Sequence, residues 1–383
     1  MRDHCFRSRR GFPRSLRGTI LPHVRPLPSE PLSPRSILVV RLSALGDVLQ
    51  VLPALDALAQ RFPAAKIDVV TETLSSSLLE RHPALRRVIE FPRARARAAW
   101  KDRTQRSQTW QLLARFVRQL REHEYDLLLD WQSNLRSAVI RMLARAHRVI
   151  GIHPSDGGEL PGWWPGYRPA VAACSTHKVH RVERALHVVR ALGWEGQTPA
   201  GQLGNFDTVH LEGDHGPNQP VLLHPFVSAF GRFKEWPSSR WEKLAHSLAR
   251  RGLPVLISGA PGDQHKIAQI VQNCGYAAAP APCTSSLAEL TKLIDRCRAV
   301  VAADTGVVHL AAIRKVPTVG LYGPKDPTVN GPWGENCRVI RGEIPCSPCT
   351  LRNCEHSFCM QSITPESVEN ALLDLLSTTT RAR

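Results

Sequence analysis

The sequence predicts an α/β protein built from two open parallel sheets, each covered by helices on both faces. Three observations carry this prediction. Short β-branched apolar runs alternate with stretches of helical period, the rhythm restarts after residue 220, and 383 residues exceed what one ordinary core accommodates.

The elements follow in order. Ile37-Leu38-Val39-Val40 is short and apolar throughout, as a strand buried on both faces should be. Residues 41–47 form a turn with Gly46 as its flexible point. From Val48 the apolar spacing becomes helical through Leu52, Leu55 and Leu58, ending before Phe62-Pro63. Residues 66–70 give a second strand. Residues 127–130 and 149–151 give two more, with a helix over 135–146 between them, and residues 180–192 return to a helical period. The segment 205–220 is polar, with several Gly and Pro, and reads as a linker. The second half repeats the pattern: strands at 221–223, 255–257, 299–302 and 318–321, and helices over 241–251 and 287–297. Asp304 to Ile313 is a turn entering a helix. The expected organisation is a tail at 1–34, a first domain at 35–205, a linker at 206–220 and a second domain at 221–383. In such folds ligands gather at the carboxyl ends of the strands, so a cleft between the domains is the expected site.

A composition of 43% hydrophobic and 22% charged residues is that of a globular chain, and no run reaches the roughly 20 apolar residues of a membrane span. The net charge of +17 points to polyanionic partners without choosing among nucleic acid, phosphorylated glycolipid and membrane surface. Residues 1–34 are rich in Arg and Pro and lack both a hydrophobic period and a secretory apolar core. They are expected to be disordered, or to precede a folded chain that starts near Arg35, and export is not expected. Six of the ten cysteines are scattered, as thiols in a reducing cytosol are. Cys346, Cys349, Cys354 and Cys359 cluster with spacing C-x2-C-x4-C-x4-C, which suits free thiols or a disulfide and, less well, structural zinc.

Four constellations carry chemistry. Asp304-Thr305-Gly306-Val307-Val308-His309 follows a strand and opens a helix, where free N–H groups and the dipole favour an anion. Gly306 permits close approach, Thr305 adds a hydroxyl, and Asp304 can accept from sugar hydroxyls; the same pattern also suits a plain helix cap. Lys234, in Lys-Glu-Trp-Pro after the 221 strand, could neutralise a diphosphate or simply be solvated. Asp263 ends a Gly-Ala-Pro-Gly turn and could hold a ribose. Asp47, after the first strand, is placed as a general base or as a first-turn acid favoured by the dipole. No Walker loop and no Gly-x-Gly-x-x-Gly follows the first strand, which excludes an ordinary NTPase or dinucleotide enzyme.

The strings VVRLSALGDVLQVLPAL, YDLLLDWQSNLRSA, KEWPSSRWEKLA, SGAPGD, DTGVVHLAA and VGLYGPKDP, in this order, resemble the ADP-heptose:lipopolysaccharide heptosyltransferases. The resemblance runs from about residue 35 to about 375. It implies a GT-B architecture, two Rossmann-like domains facing a cleft, with acceptor on the first and donor on the second. It implies Asp47 as catalytic base, and Lys234, Asp263, Asp304, Thr305, Gly306 and His309 as donor contacts. Asp263 stands where the family usually has Glu, so its shorter arm must come closer to a ribose. The implied reaction is an inverting single displacement, from ADP-heptose to a Kdo-lipid A-like lipopolysaccharide acceptor. No cofactor or metal is required, and no Asp-x-Asp pair is present. Arg93, Arg95, Arg97, Lys101 and Arg103 form a basic segment suited to an anionic acceptor, with His177, Lys178 and Arg181 as further candidates. The expected protein is a cytoplasmic monomer touching the inner face of the membrane peripherally, with no nucleic-acid partner. The alternatives are a transferase using another nucleotide sugar or a non-lipopolysaccharide acceptor, and a non-catalytic polyanion binder.

Overall fold

The computed structural model describes residues 32–152, 168–170, 179–204, 218–349, 351, 354 and 356–381. Most of the tail expected at 1–34, the linker at 206–220 except its last three residues, and His177 and Lys178 lie outside these.

Among the described residues two six-stranded, all-parallel sheets form the frame. The first comprises β1 (Ser36–Val40), β2 (Lys66–Glu72), β3 (Arg87–Phe91), β4 (Tyr125–Asp130), β5 (Ala146–Ile152) and β6 (Arg168–Ala170), in the order β3-β2-β1-β4-β5-β6. The second comprises β7 (Val221–His224), β8 (Val255–Ile257), β9 (Ala279–Pro280), β10 (Ala299–Ala303), β11 (Thr318–Tyr322) and β12 (Cys337–Arg341), in the order β12-β11-β10-β7-β8-β9. Read from its other edge, the second sheet repeats the first: each is 3-2-1-4-5-6, the doubly wound order, with its switch point between its first and fourth strands. The predicted fold class is the observed one.

The central strands are apolar because both faces are covered. Ile37, Leu38, Val39 and Val40 are all buried, as are Ala299 to Ala303. One apolar cluster is continuous across both halves, running from Val48, Leu49 and Leu52 to Val307, Val308 and Leu310. The N-terminal helices of the two switch points, Leu45–Leu49 and Gly306–Ile313, therefore pack against each other.

Two details differ from the sequence reading, and a third agrees with it. The helix expected to run on from Val48 is two helices, Leu45–Leu49 and Leu52–Arg61, because Pro53 sits in the first turn of the second and cannot donate to the turn before it. The helix expected over 135–146 stops at Leu143, since Ala146 already pairs in β5. The four clustered cysteines are free thiols, and no group of three or more metal-ligating side chains is found among the described residues.

Candidate active site

Each switch point delivers one strand-to-helix turn into the space between the sheets. Behind β1, the turn carrying Asp47 is fixed by the turn behind β4. The Gln132 side chain accepts from the Leu42 N–H at 3.2 Å, and Arg41 Nη1 donates to the Trp131 carbonyl at 2.6 Å. The β4 turn is itself tied to the buried Asp130, which accepts from the Ser133 N–H at 2.7 Å and the Ser137 hydroxyl at 2.8 Å. Burial pushes the Asp130 carboxyl up to about 6, against the pull of these donors.

Asp47 is half-buried and heavily partnered. Its Oδ2 lies 3.0 Å from Arg41 Nη2 and accepts from the Ala44 N–H at 3.2 Å, while Oδ1 accepts from Arg181. Burial pushes this carboxyl up. The Arg41 and Arg181 guanidiniums and the Ala44 N–H more than offset it, so it sits below the usual carboxylate range. Asp47 thus caps its helix, accepting from the Ala44 N–H, and also lines the cleft.

Behind β10, Asp304 and Thr305 lead into the Gly306–Ile313 helix. Thr305 is the N-cap residue, yet its hydroxyl makes no capping bond and is a buried oxygen without a partner. The first-turn N–H groups and this hydroxyl together form a place that favours an anion. Lys234, at the end of the Ala229–Lys234 turn behind β7, lies 2.7 Å from Asp304 Oδ2 and 3.3 Å from the Asp304 carbonyl. Two residues singled out separately in the sequence are thus one ion pair. His309 is buried, and burial lowers its imidazole to about 4 despite the carboxylates of Asp304 and Asp47, so the ring is neutral at pH 7. Asp263, behind β8, accepts from the Ala260 N–H at 3.1 Å and pairs with Lys266 at 3.2 Å.

These groups line one cavity of about 730 Å³ between the sheets, with Asp47 and Arg181 on one side and Lys234, Asp263, Asp304, Thr305, Gly306 and His309 on the other. The two glycines make the approach possible. A Cβ on Gly46 would stand 2.5 Å from His309 Cδ2, and one on Gly306 would stand 2.6 Å from Leu45 Cδ2. Two cross-connections hold the sides together: Gln50 donates to the Gly331 carbonyl at 3.1 Å, and His180 Nε2 lies 3.0 Å from the same oxygen.

The basic segment is placed differently. Arg93, Arg95, Arg97 and Lys101 lie on an exposed helix, Arg93–Lys101, and Arg103 on the turn after it; none lines the cavity. Arg93 pairs with Glu72 and Arg95 with Glu90, both on the first sheet. Sequence reasoning passed over Gln50, His224 and Lys325, all of which line the cavity. Lys325 carried a signal, standing in the quoted GPKDP string. Gln50 carried the same signal, standing in the quoted VVRLSALGDVLQVLPAL string, whereas His224 carried none.

The profile of Glycosyltransferase family 9 (heptosyltransferase) matches residues 113–358. Lipopolysaccharide heptosyltransferase 1 of Pseudomonas aeruginosa is 31% identical over 342 residues, 88% of this chain and 91% of that protein. Its counterpart in Escherichia coli K12 is 28% identical over 80% of this chain and 93% of that protein. Among solved structures, the E. coli heptosyltransferase WaaC with ADP superposes with a TM-score of 0.71 at 23% identity, covering 89% of this chain and 99% of that one. The E. coli ADP-heptose heptosyltransferase II gives 0.66 at 23% identity, covering 90% and 99%. The folds agree, and the chain, an enzyme with the two-sheet GT-B fold, belongs to glycosyltransferase family 9, the heptosyltransferases.

Proposed function

We propose that the protein transfers heptose from ADP-heptose to an anionic inner-core lipopolysaccharide acceptor of the Kdo-lipid A kind, with inversion at the anomeric carbon. The observation that carries this reading is the facing of Asp47 and the Lys234–Asp304–Thr305 cradle across one cavity. The similarity to lipopolysaccharide heptosyltransferases and to a heptosyltransferase solved with ADP supports the choice of donor and acceptor class.

In this reading Asp47 accepts the proton of the attacking hydroxyl as the new bond forms and the bond to the diphosphate breaks. Its arginine partners keep it ionised and make it a weak base. Proton transfer is therefore late, when the attacking oxygen has already become acidic at an oxocarbenium-like centre. Charge growing on the departing diphosphate meets Lys234, the first-turn N–H groups of 306–308 and the Thr305 hydroxyl, which are in place beforehand. Neutral His309 can donate one hydrogen bond there without adding charge. The cradle supplies its positive charge from the chain itself, so the proposed reaction requires no metal. Asp263 is the proposed ribose contact, and Arg181 is placed to exchange Asp47 for a carboxylate of the acceptor. We assign residues 35–205 to the acceptor side and 221–383 to the donor side, at work on the inner face of the cytoplasmic membrane.

Donor profiling tests the reading. Purified protein offered ADP-, GDP- and UDP-sugars with Kdo-lipid A should give, by mass spectrometry, a product heavier by one heptose with ADP-heptose alone. Equal transfer from another nucleotide sugar, or no transfer from any, overturns it.

A further inference from the structure

The basic segment is an exposed two-helix surface with a composition of its own. Between residues 93 and 110 it carries Arg93, Arg95, Arg97, Lys101, Arg103 and Arg106 against a single carboxylate, Asp102. Asp102 is engaged locally, accepting from the Thr104 N–H at 3.0 Å and from the Gln105 side chain at 2.7 Å, so it caps a turn and faces no arginine. Trp100 and Trp110 stand out from the same surface, 49% and 64% exposed. Among the described residues they are the two exposed tryptophans; Trp131, Trp194, Trp236 and Trp241 are buried. The two rings meet edge to face at 6.4 Å, and Arg106 lies 5.2 Å over the Trp100 ring. Leaving two indoles in water has a cost that folding does not require, since the helices already bury Ala96, Ala99, Phe116 and Leu120 beneath them.

We propose that this surface, the outer face of Arg93–Lys101 and the start of Arg106–Arg121, docks on an anionic phospholipid bilayer, with Trp100 and Trp110 entering the headgroup region. Indoles prefer that depth because one edge is apolar and the N–H needs a polar partner. Arg93 and Arg95 are held by Glu72 and Glu90, so Arg97, Lys101, Arg103 and Arg106 are the cations that meet lipid phosphates, and each cation near such a surface contributes about fivefold in affinity. The rings meet edge to face beneath Arg106, so they form one joined apolar wedge and not two parallel platforms on which successive bases would stack. The surface also lies at the right end of the sheet. Arg93 and Arg136 share Glu72, the last residue of β2, and Leu74, two residues on, lines the cavity. Docking there brings a lipid-anchored acceptor beside the cleft mouth. This last point rests on the proposed acceptor; bilayer binding itself does not.

The test uses the full chain and vesicles of phosphatidylcholine with or without phosphatidylglycerol, some carrying brominated acyl chains that quench nearby indoles. The expected result is binding that requires phosphatidylglycerol and weakens with salt, with tryptophan emission quenched by the brominated lipid. W100S/W110S should bind about tenfold more weakly. W100F/W110F, which keeps two rings in place, should bind but lose the quenching. Transfer to a deacylated, soluble acceptor should be unchanged in both variants, and transfer to acceptor embedded in vesicles should fall in W100S/W110S. Quenching that persists in W100F/W110F, vesicle binding unaltered in W100S/W110S, or wild-type preference for DNA over vesicles would each overturn the proposal. Absence of any heptose transfer alongside quenched binding would instead remove the proposed function and leave the bilayer surface standing.

Discussion

The turns behind β1 and β10 occupy switch points of two sheets with the same strand order, yet they are charged in opposite ways. The first presents a carboxylate, Asp47, and surrounds it with cations from its own half, Arg41 and Arg181. The second presents backbone N–H groups and an unpartnered hydroxyl, with its carboxylate, Asp304, tied off by Lys234. One fold, used twice, thus yields a carboxylate ringed by cations on one side and a set of N–H and hydroxyl donors on the other. The difference lies in which side chains the neighbouring turns supply, because the strands beneath are alike.

The contrast can be broken at either end. Asp47→Ala should have the largest effect, lowering kcat about a thousandfold while ADP affinity by calorimetry stays within about threefold, since the base acts only in the transition state. Lys234→Ala should follow, lowering kcat about a hundredfold by removing a preorganised charge and leaving Asp304 unpaired; unlike Asp47→Ala, it should also weaken ADP binding. Gly46→Ala tests the contact between the turns. Its Cβ would press on His309, and forcing the helices apart should cost about 2 kcal/mol of unfolding free energy in denaturant titrations.

The subtlest change sharpens the comparison by pH. Removing the cation in Arg181→Gln takes away one of the influences that lower the Asp47 carboxyl, so its pKa rises. Activity that depends on ionised Asp47 is lost as pH falls through that value. The acid limb of the kcat/KM profile should therefore move to higher pH than in the wild type, and a limb that stays put would show that Asp47 does not control it.

What could be read from the sequence was local. The strands at 37–40, 221–223 and 299–302 announced themselves by apolar runs, and Asp47, Lys234 and Asp304 by their places after strands. The unread part depends on partners far apart in the chain. Nothing near Asp47 signals Arg181, 134 residues on. Nothing in Arg-Ala-Arg-Ala-Arg signals that Arg93 and Arg95 turn to Glu72 and Glu90 of the first sheet, away from the cavity. Pro53, by contrast, was an overlooked local signal for the helix break.

The most direct measurement is a crystal structure of this protein with a non-transferable fluorinated ADP-heptose. The diphosphate should lie on the 306–308 N–H groups, Thr305 and Lys234, with the anomeric carbon turned towards Asp47. A diphosphate seated away from those groups, or a sugar facing away from Asp47, would contradict it.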